Sequence, residues 1–298
     1  MLRIFLFMMT NVAVLLLVTI IFNILGLEKL FSQNGMGINL TGTLVMCAVM
    51  GMAGSFISLL MSKFIAKRSM RVQLITEPRT EKERWLVDTV TALSAKAGIK
   101  TPEIGIFPSQ ASNAFATGWN KNAALVAVSE GLLHRFTEEE AEAVMAHEIG
   151  HVANGDMITL TLIQGIVNTF VIFFARLIGT FVDRVVFKNE RGGGIGYFAT
   201  SLLAQMVLGI LASVIVRWFS RWREFRADDA GATLASRRGM VNALKRLQAE
   251  SGAAPASMPN EMAAFGISSS VKARFGELFM THPPLQVRIQ ALEQAANN

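Results

Sequence analysis

The sequence is short of cysteine and of charge. Its one cysteine, Cys47, lies inside an apolar run, so no disulfide framework is possible and the chain holds no Cys-based metal or redox motif. Charged residues make up 17% of the 298 residues, whereas soluble domains usually carry about a quarter. This deficit and the hydrophobic content of 52% favour a protein that lies partly in lipid.

Four stretches without a charged residue are long enough to cross a bilayer, which takes about 20 apolar residues. They are residues 4–27, 40–62, 157–175 and 192–216, and they predict about four transmembrane helices. The glycine-rich start of the fourth stretch is expected to belong to a loop. The first is too long for the apolar core of a signal peptide, which has about 7–15 residues, and no A-x-A cleavage site follows it. The third contains Gln164 and Asn168, so a buried or partly inserted helix is the alternative there.

The basic residues stand at the ends of these stretches. Four of them follow the second stretch without an acid between them, and four arginines follow the fourth, whereas the loop between the first two stretches holds one Glu and one Lys. Because Lys and Arg mark cytoplasmic loops, we expect both termini and both soluble stretches to face the cytoplasm. The net charge of +6 then reflects orientation in a lipid bilayer, and we expect no nucleic acid among the partners.

The apolar stretches divide the chain into four segments. Residues 1–63 and 157–216 are predicted to form transmembrane hairpins, and residues 64–156 and 217–298 the two pieces of a soluble domain. In that domain, capping-box patterns at Thr80 and Thr137 predict helices. The patterns EIGIFP, NAFATG and AALVAVS predict three short strands. The predicted fold is therefore a mainly α integral membrane protein with an α+β soluble domain.

The stretch MAHEIGHVANGD holds two of the chain's four histidines. On a helix His147 and His151, at i and i+4, project from one face about 6 Å apart, so both imidazoles can reach one zinc ion. Glu148 is turned by about 100° from His147, which lets it stand beside a metal and take a proton from water. Gly155 is placed to end the helix. The alternative is two histidines that are neighbours by chance, but chance rarely places two histidines four residues apart with a Glu after the first.

A catalytic zinc site usually has a third protein ligand. The best candidate is Glu224 in SRWREFRADDAGA. The predicted hairpin of residues 157–216 returns the chain to the side of the membrane that holds the helix of His147 and His151, so Glu224 can meet them. Asp228 lies one turn further on the same face, where a carboxylate can accept the outer N–H of a ligating imidazole. The alternative for Glu224 is an exposed residue paired with the neighbouring arginines.

These residues give the chain a strong resemblance to the HtpX-type membrane-bound zinc metallopeptidases, bacterial relatives of the CAAX prenyl proteases. The motifs that carry the resemblance occur in order along nearly the whole chain: RWLVDTV, NAFATG, EAEAVMAHEIGHVANGDM, REFRADDAG and FMTHPPLQVRI. The resemblance implies a zincin-like protease domain of the gluzincin type. It implies one Zn²⁺ per chain on His147, His151 and Glu224, with Glu148 as the catalytic acid and base.

Further roles follow from the same resemblance. Asp228 and Arg288 are expected to support the ligands, and His282, which precedes a proline, is expected to donate to a developing oxyanion. One departure is Arg226, where close relatives are expected to have His; it leaves the ligand set intact. The implied activity is cleavage of damaged or misassembled membrane proteins at the cytoplasmic face of the bacterial inner membrane, in stress response and quality control.

An unfolded substrate is expected to lie extended along an exposed strand edge, because backbone hydrogen bonds tolerate varied side chains. The candidate edge is NAFATG, and its substrate-binding residues are Asn113, Ala114, Phe115 and Ala116. An ordinary core hairpin is the alternative interpretation of this segment.

Two other classes of function fit parts of the pattern. A metal transporter needs ionisable groups within its spans, but the four apolar stretches hold no His, Asp, Glu or Lys. A membrane scaffold with a structural zinc would have no use for Glu148, and closed structural sites favour four protein ligands, commonly with Cys. Both classes fit the sequence less well than a protease does.

Overall fold

The computed structural model describes residues 16, 20, 24 and 26 and residues 39–189, 193–253 and 282–295. The first predicted span, residues 4–27, lies outside the described residues except for four positions. Along the chain the described elements are α1 (Leu40–Ser69), β1 (Gln73–Leu74), α2 (Glu81–Lys96), β2 (Glu103–Phe107), β3 (Ala114–Thr117), β4 (Leu125–Ser129), α3 (Glu130–Arg135), α4 (Glu138–Asn154), α5 (Asp156–Phe181), α6 (Ile195–Gly231), α7 (Arg237–Ala253) and α8 (Leu285–Gln294). Five-residue π-helical segments, Val182–Val186 and Ala232–Ser236, follow α5 and α6.

Three helices of the described part are long and apolar enough to cross a membrane. They are α1, α5 with its π-helical extension, and α6, and they contain the second and third predicted stretches and the fourth from Ile195 onward. Each helix continues past the C-terminal end of its predicted stretch, because the polar and basic residues that follow the apolar part are also helical. The chain is thus a mostly helical membrane protein, and the total of four spans stays a prediction.

The chain divides into two compact units. One comprises Met1–Ser58 and Thr161–Val216, and the other Leu59–Leu160 and Arg217–Asn298. In the first unit α1 and α5 approach closely at Gly51, where a Cβ would lie 2.7 Å from the backbone nitrogen of Thr169. Asn168 donates to Ser55 Oγ at 3.4 Å and accepts from Gln164 at 2.8 Å. The polar side chains of this apolar helix pair therefore satisfy one another, as they must in lipid.

The second unit is built on a four-stranded sheet with the order β1-β2-β4-β3. β2 and β4 are parallel, and β1 and β3 pair antiparallel at the two edges. Every residue of β4 is buried, whereas β3 is half-buried along its length. The three predicted strands are confirmed. β1 was not predicted, because two exposed residues are too short a run to show an alternating pattern.

The sheet packs against α2 and α4 in one apolar core. α2 contributes Leu86, Val90 and Leu93, and α4 contributes Met145 and Ile149. These residues recur at helical spacing, so each helix buries one face. The fold thereby holds α4 firmly along the sheet.

Both predicted capping boxes are confirmed at the starts of α2 and α4. Thr80 with Glu83 and Thr137 with Glu140 exchange side-chain and backbone hydrogen bonds in both directions. The predicted end of α4 is also confirmed, because Gly155 adopts the left-handed conformation with φ 66°. Local sequence alone therefore defines both ends of the helix that carries the HEIGH motif.

Candidate metal centre

Two imidazoles and one carboxylate converge in the second unit. The ligand atoms of His147, His151 and Glu224 all lie within 4.8 Å of one another. Nε2 of His147 is 3.7 Å from Glu224 Oε2, and Nε2 of His151 is 3.3 Å from Glu224 Oε1. The two rings stand edge to face with centroids 4.8 Å apart. The structure thus brings together all three residues that were predicted to bind zinc.

Small residues let α4 and α6 approach each other at this point. A Cβ on Gly150 would lie 2.6 Å from the Cβ of Ala230, and Ala227 is fully buried beside it. Gly231 on α6 also lies close to the backbone of α4. A Cβ on Gly231 would lie 3.5 Å from the backbone nitrogen of His147. Glu224 on α6 reaches the histidines on α4 because no larger side chain separates the helices here.

The donor set fits a zinc ion. Glu224 is 1% exposed and His147 6% exposed, so a carboxylate and an imidazole have been removed from water. Such burial is costly for polar groups unless they are paired or coordinate a metal. Two imidazole nitrogens and one carboxylate oxygen make up a ligand set found in zinc hydrolases, in which a fourth position stays open. This rules out the alternative of Glu224 as an exposed residue paired with surface arginines.

Asp228 and Arg288 lie directly behind these side chains. Asp228 Oδ1 is 3.0 Å from His147 Nδ1, a close contact without the alignment of a hydrogen bond. Arg288 binds the same carboxylate through both arms, with Nε at 2.8 Å and Nη2 at 2.5 Å, and its Nη1 lies 3.4 Å from Glu224 Oε2. Asp228 and Arg288 are 2% and 6% exposed. That these two residues support the ligands stays a prediction, but each lies against a ligand residue, as that role requires.

The charges of the site reinforce one another. Burial lowers the pKa of His151, but its hydrogen bonds with Asp156 and Glu224 outweigh burial and raise that pKa to about 9. Burial also lowers the pKa of Arg288, but the hydrogen bond with Asp228 outweighs it and raises the pKa above its ordinary value. The acids around His151 and Arg288 thus stabilise positive charge at this site.

His282 and Glu148 lie on the open side of the centre. His282 Nδ1 is 2.6 Å from Glu224 Oε2, and its side chain is 61% exposed. Glu148 is half-buried and close enough to His151 and Arg288 to interact electrostatically with both. The structure therefore places His282 against a ligand carboxylate, a contact that the sequence did not indicate.

Asp156 is the residue of this site that sequence reasoning missed. Its Oδ2 is 2.7 Å from His151 Nδ1, and the residue is 2% exposed. The signal was available in the last letters of MAHEIGHVANGD, because Gly155 ends the helix and Asp156 directly follows the turn. A five-residue spacing is off the face of a continuous helix, so only the turn brings this carboxylate back to His151.

The predicted substrate strand lies at an edge of the sheet. β3 comprises Ala114–Thr117, and Asn113 directly precedes it and accepts a hydrogen bond from Ser129 N at 2.9 Å. Because antiparallel pairs alternate, the backbone groups of Ala114 and Ala116 face away from β4. The side chains of both alanines pack on the core that includes Met145 of α4. Within the described residues, β3 therefore offers an outer edge next to the metal-site helix.

Comparison with known proteins extends over the whole chain. The model of a family described as Peptidase family M48 matches residues 80–296. The protease HtpX of Pseudomonas fluorescens (strain Pf0-1) is 59% identical over 294 residues, covering 99% of each chain. The protease HtpX of Cellvibrio japonicus (strain Ueda107) is 61% identical over 298 residues and covers both chains completely.

One solved structure shows a similar fold. The crystal structure of S. mikatae Ste24p superposes with a TM-score of 0.60 at 18% sequence identity. The match covers 93% of this chain and 66% of that one. At this identity the likeness concerns the fold alone.

Proposed function

As this chain belongs to peptidase family M48 and is a membrane zinc metalloprotease, we propose that it hydrolyses peptide bonds of damaged or misfolded membrane proteins on the cytoplasmic side of the bacterial inner membrane. The observation that carries the proposal is the meeting of His147, His151 and Glu224 in one buried cluster, with Glu148 beside them. Stress response and envelope quality control are the roles that such an activity would serve.

One Zn²⁺ per chain would be held by His147, His151 and Glu224. The chemistry that the ion supplies when bound is Lewis-acid activation of a water molecule and of the scissile carbonyl. The two imidazoles would bind through Nε2, since these are the ring nitrogens that face Glu224. Their Nδ1 atoms face the buried carboxylates of Asp228 and Asp156.

Glu148 is the group proposed to move the proton. It follows His147 on α4 and is turned away from the ligand face by about 100°, so its carboxylate stays available as a base. It accepts a proton from the attacking water and returns it to the leaving amine. Its half-buried position keeps it in reach of both substrate and water.

His282 is proposed to stabilise the oxyanion that forms at the scissile carbonyl. With Nδ1 against Glu224 Oε2 at 2.6 Å, Nε2 is the ring nitrogen left to donate toward substrate. The exposure of this side chain supports contact with a bound peptide. Arg288 and Asp228 would hold Glu224 and His147 in place from the buried side.

The substrate is proposed to bind as an extended segment against β3. The outward backbone groups of Ala114 and Ala116 can pair with a peptide main chain whatever its side chains are. This suits a protease that acts on unfolded segments of many proteins. Asn113 and Phe115 would hold the strand in place, the first through Ser129 and the second through its ring contact with Phe107 at 5.5 Å.

Membrane-protein substrates and cytoplasmic action are supported by α6. This helix runs without interruption from an apolar stretch to Glu224, so the chain carries its third ligand on the continuation of a membrane helix. The basic residues that follow the apolar stretches of α1 and α6 favour the cytoplasm for this end.

The test is cleavage of an unfolded membrane protein by the purified full-length chain with zinc. The wild type should cut it, and Glu148→Gln should keep its zinc and its fold but lose cleavage. Glu142→Gln, the same change on the same helix, is the matched control and should remain active. His147→Ala and Glu224→Ala should lose zinc, measured as metal per chain after dialysis. Near wild-type cleavage by Glu148→Gln would refute the mechanism.

A further inference from the structure

The side chain of Asp156 points back toward the preceding helix, α4. α4 ends at Asn154, Gly155 adopts φ 66°, and Asp156 begins α5. The break in the helix at Gly155 lets the Asp156 side chain reach the last turn of α4. Its Oδ2 lies 2.7 Å from Nδ1 of His151.

The contact defines which nitrogen of His151 is available to a metal. Asp156 is 2% exposed, and a buried carboxylate needs a donor to replace water. With Nδ1–H donated to Asp156, Nε2, which faces Glu224 Oε1 at 3.3 Å, is the nitrogen that can bind a metal once it gives up its proton. A carboxylate behind a ligating histidine fixes both the tautomer and the direction of the ring.

Asp156 is also held from α6. Nη1 of Arg223 donates to the backbone oxygen of Asp156 at 3.2 Å. Arg223 directly precedes Glu224, so the third proposed ligand and the residue that orients the second are tied to one turn of α6. His147 has an equivalent partner in Asp228. Each imidazole of the centre is thus backed by its own buried aspartate.

We infer that Asp156 is a positioning residue of the metal centre, which orients His151 toward the ion, and that the left-handed conformation of Gly155 makes this possible. This inference rests on the ligand set of the proposed function. An Asp at the start of α5 could instead serve only the helix N-terminus, where negative charge is favourable. That purely structural role would change stability and leave zinc affinity per folded chain untouched.

The experiment measures the zinc dissociation constant of the full-length chain by competition with a chelator. Asp156→Asn and Asp156→Ala should weaken zinc binding by roughly 10–100-fold, with the larger loss in the Ala variant. Glu140→Gln is the control, because Glu140 is another buried, paired carboxylate on α4, bound to Arg246 at 2.8 Å. It should alter stability without altering zinc affinity.

Gly155 provides a second, independent test. Nothing lies within 4 Å of a Cβ at this position, so a substitution there changes the backbone preference and not the packing. Asn tolerates a positive φ and Val does not. Gly155→Asn should bind zinc like the wild type, and Gly155→Val should lose affinity as Asp156→Ala does.

The outcomes separate this inference from the proposed function. If the wild type binds zinc and loses it in His151→Ala, the ligand set holds; Asp156 variants within threefold of wild-type affinity would then overturn the positioning role alone. If His151→Ala binds zinc as well as the wild type does, the ligand set itself fails. A nuclear magnetic resonance spectrum of the His151 ring in the zinc-loaded protein gives a readout without activity. The Nδ1–H proton should exchange slowly with water in the wild type and faster in Asp156→Ala, because zinc on Nε2 keeps the proton on Nδ1 in both proteins.

Discussion

Gly150 on α4 and Ala230 on α6 meet with no room for another methyl group, since a Cβ on Gly150 would lie 2.6 Å from the Cβ of Ala230. This contact sets how closely the helix of His147 and His151 approaches the helix of Glu224. Because a well-packed contact resists added atoms, Gly150→Ala should cost about 1–3 kcal/mol of stability. It should also weaken zinc binding by moving Glu224 away from the histidines.

The matched rescue is the double variant Gly150→Ala with Ala230→Gly, which moves the methyl group from one helix to the other. The measurements are the thermal unfolding and the zinc affinity of the single and the double variant. The double variant should recover most of what the single variant loses. A single variant with wild-type zinc affinity would show that the interhelical contact does not control the centre.

Asp228 should matter far more than its neighbour Asp229. Asp228→Asn removes the charge next to His147 and from the group that Arg288 binds through both arms. We expect a loss in zinc affinity or turnover of roughly 10–100-fold. Asp229 is exposed, and Asp229→Asn should change both quantities little, because exposed ion pairs are worth about 0–1 kcal/mol. Equal and small effects of the two variants would refute the role of Asp228.

The substrate edge of β3 is tested by Ala116→Pro. Proline removes an N–H that faces away from β4, so the sheet should keep its hydrogen bonds. Zinc content should stay at the wild-type level while KM for an unfolded substrate rises several-fold. Ala116→Val, which adds similar volume and keeps the N–H, is the control. An unchanged KM in the proline variant would exclude β3 as the binding edge.

The orientation in the membrane is tested by cysteine labelling of intact cells in a Cys47→Ser background. Lys100→Cys in the soluble domain should react only after the membrane is permeabilised, and a cysteine at the C-terminus should behave in the same way. Ile195→Cys, at the exposed start of α6, should react from outside. Labelling of position 100 from outside would reverse the predicted orientation and exclude cytosolic cleavage.

Local patterns were enough to predict the parts of the site that lie on one helix. The i, i+4 spacing of His147 and His151 and the capping box at Thr137 depend only on helix geometry, and the structure shows both. Glu224 was found by a different argument, the return of the chain after a membrane hairpin. Because lipid restricts the chain to spanning helices, a residue just beyond the second helix of a hairpin is expected on the side from which the first helix began.

Contacts that depend on a change of chain direction could not be predicted from the sequence. Asp156 meets His151 only because α4 stops and α5 starts at an angle set by Gly155. His282 meets Glu224 across 58 positions of sequence, a pairing that no periodic pattern encodes. The two-residue strand β1 owes its conformation to pairing with β2 rather than to its own composition.

The order of the ligands along the chain has a consequence for biosynthesis. His147 and His151 precede α5 and α6 in sequence, and Glu224 follows the apolar part of α6. A nascent chain therefore exposes its two imidazoles well before the ribosome has made the third donor. The donor set is complete only once the apolar part of α6 has been synthesised. All three donors can therefore meet on one zinc ion only after both membrane helices have been synthesised.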